Sequence, residues 1–105
     1  MFSRVNVLET APNRIDDVAR VVREIVHPAI SGEPGYVGYL VLGSRETGQA
    51  LGVTLWESEG DREASDVKAR QIRPIVEAET GGVMRTVEEY DVLFVDLRPE
   101  TRDGA

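Results

Sequence analysis

The sequence of 105 residues contains no cysteine and only one histidine, His27. Without cysteine, the chain can form neither a disulfide nor a thiolate metal site. A single histidine among scattered carboxylates also lacks the clustered ligands of a zinc centre, so we expect no metal. No apolar run approaches the length that crosses a membrane, and the first residues, "MFSRVNVLET", lack the long apolar core of a signal peptide. These absences predict a cytoplasmic protein with no membrane partner.

The charge of the chain argues against a further class of binding partner, nucleic acid. The formal net charge is −7, and lysine and arginine form no basic run, which disfavours binding to nucleic acid. The segment "GSRETG" is not a nucleotide-binding motif, because it lies in a predicted hairpin turn and opens no helix. We therefore expect no cofactor. The length suits one domain, which we place at residues 1–98, with a polar C-terminal tail at residues 99–105.

The spacing of apolar residues predicts an alternating order of strands and helices. The predicted elements are a strand at residues 2–9, an amphipathic helix that includes Ile15 and Val26, two strands joined by a turn at residues 35–58, a second helix from the capping residue Ser58 to Gly81, and a last strand near residues 88–97. This βαββαβ order is typical of the α+β ferredoxin-like fold, in which one antiparallel sheet carries both helices on one face.

The turn between the two central strands, "RETGQ", fits a three-residue loop with Gly48 in the left-handed conformation. Such a loop would pair Arg45 with Gln49. Counting outward from that pair places three further pairs on one face of the sheet, namely Leu42–Gly52, Leu40–Thr54 and Gly38–Trp56. The other face would then carry the pairs Val41–Val53 and Tyr39–Leu55.

The two faces of this predicted hairpin lead to separate expectations. Both faces are apolar, yet two helices can cover only one, so we expect the uncovered face to meet a second copy of the chain. On the covered face, Gly38 and Gly52 would lie beside Trp56 and leave a hollow between the sheet and the helices. The alternative is that these glycines only make room for the tryptophan ring or allow a bulge.

Three features of the sequence resemble a known family: the βαββαβ order, "PGYVGY" at the second strand and "LWES" at the end of the third. The sequence is similar to the antibiotic biosynthesis monooxygenase family of the dimeric α/β-barrel superfamily. The resemblance implies a homodimeric barrel with sheets packed face to face. It also implies oxidation of a phenolic or quinol-type substrate, without metal or flavin, in a pocket between sheet and helices. Asn6 and Trp56 match an asparagine and a tryptophan that recur in such pockets.

The haem-degrading branch of that family is a poorer match. Its members carry a tryptophan and a histidine on the helix that follows the third strand. The corresponding segment here, "EGDREASDVKARQIRPIVEAE", contains neither residue type. We therefore expect no haem breakdown.

Asn6 and Trp56 are the candidate catalytic residues, because amide and indole N–H groups can stabilise an oxyanion; in the alternative, both are satisfied locally in the core. The candidate substrate-binding residues are Arg4, His27, Tyr36, Gly38, Leu40, Gly52, Thr54 and Tyr90. We expect a cofactor-independent monooxygenase that acts on a small aromatic, quinol or polyketide-like substrate. The alternative function is a non-catalytic dimeric module that binds a small apolar ligand.

Overall fold

The computed structural model describes residues 1–98, so the predicted tail at residues 99–105 lies outside the described part. Four strands form one antiparallel sheet in the order β2-β3-β1-β4. The strands are β1 (Phe2–Glu9), β2 (Tyr36–Gly43), β3 (Gln49–Trp56) and β4 (Val83–Asp91). The helices pack on one face of this sheet, and the core between the two layers includes Leu8, Ala50, Val21 and Ile72. The ferredoxin-like fold predicted from the sequence is confirmed.

The first helical segment changes its winding along its length. A 3₁₀ turn (Pro12–Arg14) leads into α1 (Ile15–Val21), a π-helical turn (Val22–Val26) and α2 (His27–Ile30). Pro28 has no backbone N–H to donate to the preceding turn. The wider π turn ends just before this proline, where the N–H of His27 reaches the carbonyl of Val22. Proline therefore lies within the segment without ending it.

The second helical segment is divided at Ser65 into α3 (Glu59–Ala64) and α4 (Asp66–Thr80). The hydroxyl of Ser58 accepts a hydrogen bond from the N–H of Asp61, which confirms the predicted helix cap. Gly81 ends α4 in the left-handed conformation, with a φ of 70°. No helix among residues 1–98 is long and apolar enough to span a membrane, and the cytoplasmic location stays a prediction.

The loop between β2 and β3 is one residue longer than predicted. The N–H of Ser44 donates to Gln49, and the N–H of Gly48 donates back to the carbonyl of Ser44, at 2.9 Å each. The hydroxyl of Ser44 also accepts hydrogen bonds from two N–H groups inside the loop. Gly48 has the predicted positive φ. These bonds enclose four residues in the loop, one more than the three predicted from the sequence.

The longer loop shifts the pairing of β2 with β3 by one residue. Val41 pairs with Gly52 and Tyr39 pairs with Thr54, so the predicted pairs are wrong. Because side chains alternate along a strand, a shift of one residue turns the side chains of β2 from position 38 onwards to the opposite face. The shifted pairs therefore place Tyr39 and Val41 towards the helices. They place Gly38 and Leu40, which were predicted to line the hollow, on the opposite face.

A second correction concerns β4, which runs from Val83 to Asp91 rather than over residues 88–97. Glu89 pairs with Arg4 and forms an ion pair with Arg62 of α3, so Glu89 lies on the helix side of the sheet. The next residue, Tyr90, therefore lies on the other side, where half of its surface is exposed. The prediction that Tyr90 faces a pocket between sheet and helices is wrong, because the strand alternates from Glu89.

The face of the sheet opposite the helices, here called the open face, is apolar. Leu40, Val53 and Leu55 lie on it, and with the segment after β4 they line a groove of about 760 Å³. That segment has no regular secondary structure, and its apolar side chains Leu93 and Phe94 are 94% and 85% exposed. Apolar side chains of this size are seldom left so exposed together in a monomeric protein.

Candidate functional site

A cavity of about 60 Å³ lies between the sheet and the helices. Most of its wall is aliphatic, with contributions from Val22, Val26, Ile72 and Val76 among others. Five polar side chains interrupt this apolar wall: Arg4, Asn6, Tyr39, Thr54 and Arg73. An apolar wall with a few converging polar groups is typical of small-molecule sites, but those sites usually enclose about 300–1,000 Å³. An aromatic ligand would therefore have to extend beyond this cavity or widen it.

The structure brings together four of the site residues predicted from the sequence. Arg4 and Asn6 lie on β1, Gly52 and Thr54 lie on β3, and all four line the cavity. These residues reach the same space because β1 and β3 are paired antiparallel, with Asn6 opposite Gly52 and Arg4 opposite Thr54. Their side chains therefore share the face that the helices cover.

Trp56, Tyr36 and His27 form a separate aromatic cluster that does not line the cavity. Trp56 is fully buried, its indole N–H donates to the hydroxyl of Thr54 at 2.9 Å, and its ring meets Tyr36 edge to face at 5.9 Å. Tyr36 in turn meets the exposed His27 edge to face at 6.0 Å. The indole N–H, proposed from the sequence as an oxyanion donor, is already used inside the protein.

The orientation of the Asn6 amide follows from its partner on α4. Arg73 Nε lies 3.3 Å from Asn6 Oδ1, and a terminal nitrogen of Arg73 lies 3.3 Å from Asp66 Oδ1. Because a guanidinium can only donate, the oxygen of the amide must face Arg73. The amide nitrogen of Asn6 is therefore left to donate elsewhere in the cavity wall.

Tyr39 explains the space at Gly52. A Cβ atom built on Gly52 would lie 3.3 Å from the hydroxyl of Tyr39, which is closer than a comfortable contact. The glycine therefore makes room for the tyrosine hydroxyl, rather than for the ring of Trp56. Burial raises the pKa of Tyr39 to about 12, with a smaller contribution from Tyr36. The hydroxyl is thus protonated at neutral pH and can donate a hydrogen bond to a ligand.

Thr54 connects the aromatic cluster to the cavity. Its side chain is buried and lines the cavity, and its oxygen accepts the hydrogen bond from Trp56. Because that oxygen already accepts from the indole, the hydroxyl proton is directed away from Trp56. Trp56 does not line the cavity itself, but it orients the hydroxyl of Thr54, which does.

Arg4 is almost completely buried, with 2% of its surface exposed. Its terminal nitrogens donate to the hydroxyl of Ser65 and to the carbonyl of Arg62, and one of them lies 3.9 Å from Asp66. Burial lowers the pKa of the Arg4 guanidinium, and the carboxylate of Asp66 opposes this shift. Arg4 thus holds the break between α3 and α4 against β1.

Two residues that line the cavity were not predicted to do so from the sequence: Tyr39, which was expected on the opposite face, and Arg73. The position of Tyr39 could have been predicted from Ser44. A serine hydroxyl that accepts hydrogen bonds from N–H groups of the following residues favours a longer turn, and a turn longer by one residue places Tyr39 on the helix side of the sheet. Arg73 has no comparable signal, because its partner Asn6 is 67 positions away in the sequence. Within residues 1–98, no group of three or more histidine, cysteine or acidic residues is arranged to hold a metal ion.

The fold and this cavity define a class: a ferredoxin-like protein with a partly polar cavity between sheet and helices. The antibiotic biosynthesis monooxygenase family matches residues 1–66, and the chain belongs to this family. Two uncharacterized proteins of Mycobacterium tuberculosis, Rv2557 and Rv2558, are 27% identical over 107 residues and 28% identical over 105 residues. All of this chain is covered, but only 46% and 44% of those proteins. The chain therefore spans about half the length of these relatives.

Solved structures with the same fold include proteins with bound ligands. The monooxygenase ActVA-Orf6 of Streptomyces coelicolor, in complex with nanaomycin D, has a TM-score of 0.68 at 16% identity, covering 94% of this chain and 92% of that one. A mutant of MhuD, with two manganese protoporphyrin IX molecules per active site, has a TM-score of 0.69 at 19% identity, covering 94% and 100%. A dimeric ferredoxin-like protein from an uncultured marine organism has a TM-score of 0.64 at 12% identity, covering 92% and 98%.

Proposed function

We propose that the protein is a cofactor-independent monooxygenase that acts on a small aromatic, quinol or polyketide-like substrate. The observation that carries the proposal is the set of three hydrogen-bond donors on one apolar cavity. These donors are the Asn6 amide, the Tyr39 hydroxyl and the Thr54 hydroxyl. Membership of the antibiotic biosynthesis monooxygenase family supports the same function. One solved relative is a monooxygenase with nanaomycin D bound, which is in keeping with a small-molecule substrate.

The three donors suit a reaction that passes through a substrate anion. An electron-rich ring that has lost a proton can react with dioxygen directly and form a carbon–oxygen bond to a hydroperoxide. Loss of water from that hydroperoxide then leaves a carbonyl where the ring carried a CH₂ group, so both oxygen atoms of dioxygen are accounted for. Donors aimed at the negative oxygen lower the energy of the anion. In this proposal Tyr39 and Asn6 hold that oxygen, and Thr54 is held in place by Trp56.

We propose in addition that the working form is a homodimer joined through the open face. The groove lined by Leu40, Val53 and Leu55 is apolar, and the helices lie on the other side of the sheet. A second copy would bury this face and the exposed side chains of Leu93 and Phe94. A solved relative described as a dimeric ferredoxin-like protein supports this arrangement.

The alternative function, a non-catalytic module that binds a small ligand, is favoured by one observation. Among residues 1–98, no aspartate, glutamate or histidine lines the cavity, so no ordinary general base is at hand. A module of this kind needs only the apolar walls. The two functions therefore differ in whether bound ligand is oxidised.

Oxygen uptake by chelator-treated protein, measured with a hydroxyanthrone, tests the proposal. We expect uptake above the rate without protein, and a decrease of about tenfold or more in Tyr39→Phe, which removes one donor. Tyr36→Phe is the matched control, because that hydroxyl does not line the cavity, and it should keep the activity. Binding of the hydroxyanthrone without oxygen uptake would support the binding module instead.

A further inference from the structure

The charged side chains on the cavity wall are all cations, although the protein as a whole carries a net charge of −7. Arg4 and Arg73 line the cavity, and no carboxylate among residues 1–98 does so. The excess of acidic groups therefore lies elsewhere on the chain. A cavity with walls of low polarity concentrates the field of such charges, so its interior is electropositive.

The carboxylates near these arginines are too few to neutralise them. Asp66 alone faces three guanidinium groups: Arg70 at 2.6 Å, Arg73 at 3.3 Å and Arg4 at 3.9 Å. In the described part of the chain, the other carboxylate paired nearby, Glu89, is taken by Arg62 at 3.3 Å. Four guanidinium groups thus share two carboxylates, which leaves the cluster with a net positive charge.

Arg73 is placed to use that charge on a ligand. Its Nε and one terminal nitrogen are bonded to Asn6 and Asp66, while the other terminal nitrogen has no hydrogen-bond partner among residues 1–98. The side chain is 20% exposed, so it is neither sealed in the core nor free in solvent. Arg4, by contrast, is held through both terminal nitrogens by Ser65 and Arg62 and contributes as a fixed charge on the wall.

We propose that the cavity binds aromatic ligands that are already anionic, with the negatively charged oxygen against Arg73 and the amide nitrogen of Asn6. This inference deepens the proposed function and rests on it for the aromatic class of the ligand. The charge belongs to a carboxylate or to an ionised acidic hydroxyl, which present the same oxygen chemistry. Where the charge is that of an ionised ring hydroxyl, the substrate arrives as the anion that reacts with dioxygen and needs no base from the protein, which accounts for a cavity wall without one.

The test compares two aromatic probes of the same shape, naphthoate and naphthamide, which differ in charge. Binding is followed by the NMR shifts of the backbone amides of Gly52 and Thr54, which report on this cavity. We expect naphthoate to bind at least about tenfold more tightly than naphthamide, as for a hydrogen bond to a charged group. An acidic hydroxynaphthoquinone, titrated through its own pKa, distinguishes an ionised hydroxyl from a carboxylate as the preferred anion.

Two variants separate the local effect from the effect of net charge. Arg73→Gln removes the cation at the wall and should abolish the preference for naphthoate. Arg70→Gln is the matched control: it removes the same charge from the same helix and the same carboxylate, but Arg70 is 75% exposed and does not line the cavity. Arg70→Gln should keep the preference. If Arg73→Gln fails to fold, Arg73→Lys replaces it and should retain part of the preference, because it retains the charge.

Equal binding of naphthoate and naphthamide at Gly52 and Thr54 would overturn the inference, and so would a preference that Arg73→Gln leaves intact. Neither result bears on oxygen uptake with the hydroxyanthrone, so the oxygenase proposal stands or fails separately. Conversely, an anion preference in a protein that consumes no oxygen would support this inference while it removes the enzymatic function.

Discussion

Arg73 Nε lies 3.3 Å from Asn6 Oδ1, and this contact joins α4 to the first strand of the sheet. Since Arg73 can only donate, it determines which end of the amide faces the cavity. The same guanidinium is bonded to Asp66, at the start of α4. One arginine therefore orients a candidate catalytic side chain and places a positive charge on the cavity wall. Substitutions of the residues around Arg73 should therefore show which contacts affect ligand binding and which affect the free energy of unfolding.

The first prediction concerns the stability of the protein at high pH. Burial raises the pKa of Tyr39 from its ordinary value of 10 to about 12. Between these values the folded state keeps the phenol proton and the unfolded state loses it. The stabilisation is therefore complete below pH 10 and is lost as the pH rises through 12. The loss should be roughly 2 to 3 kcal/mol in the free energy of unfolding.

Urea unfolding below pH 10 and near pH 12 measures this loss, and Tyr39→Phe supplies the comparison. The variant has no phenol at this position, so its unfolding free energy should fall by less over the same interval. An equal fall in the two proteins would mean that Tyr39 titrates as it does in water.

The second prediction compares two glycines on neighbouring strands. In Gly52→Ala the new Cβ lies 3.3 Å from the hydroxyl of Tyr39, which must move. We expect weaker binding of aromatic probes, by about tenfold, with a change in unfolding free energy within about 1 kcal/mol, because a small shift of the tyrosine ring relieves the contact. In Gly38→Ala the new Cβ meets Leu55 at an ordinary 3.7 Å. That variant should bind normally and be slightly more stable.

Calorimetric titration and thermal unfolding of the two variants together provide the measurement. Normal probe binding by Gly52→Ala would show that the position of the Tyr39 hydroxyl is unimportant. It would also remove the reason for assigning that hydroxyl to the site.

The third prediction concerns the carboxylate shared by three arginines. Asp66→Asn leaves the guanidinium groups of Arg4 and Arg73 without their nearest counter-charge. Because Arg4 is buried, the free energy of unfolding of the variant should be lower by about 1–3 kcal/mol. This loss is smaller than that expected for a fully buried ion pair, since the side chain of Asp66 is 28% exposed. Asp16→Asn, which breaks the exposed pair with Arg45, should unfold like the wild type. Urea unfolding of both variants is the measurement, and equal stability would contradict the prediction.

The fourth prediction concerns assembly. In Val53→Asp a carboxylate would be placed on the open face, where a second copy would bury it without a partner, at a high cost in free energy. Sedimentation should then show monomer where the wild type shows dimer. Val67→Asp introduces the same charge on α4, at a position that is 68% exposed, and should leave the dimer intact. A wild-type monomer at micromolar concentration would refute the dimer.

Several features of the fold could be predicted from the sequence because their causes are local. The cap at Ser58, the left-handed glycines at positions 48 and 81, and the alternation of apolar residues each depend on a few neighbouring residues. Together they predict the order of strands and helices. Arg4 and Asn6 lie on the same face of β1 because of the same alternation, and both residues line the cavity.

The composition of the site was decided by the tertiary structure. Whether the hairpin loop holds three or four residues depends on small differences in hydrogen bonding around Ser44, and that single residue decides whether Leu40 or Tyr39 faces the helices. Arg73 reaches Asn6 only because the sheet and α4 are packed together, across 67 positions of sequence. Side-chain alternation is a property of one strand, whereas register and long-range pairing are properties of the assembled layers.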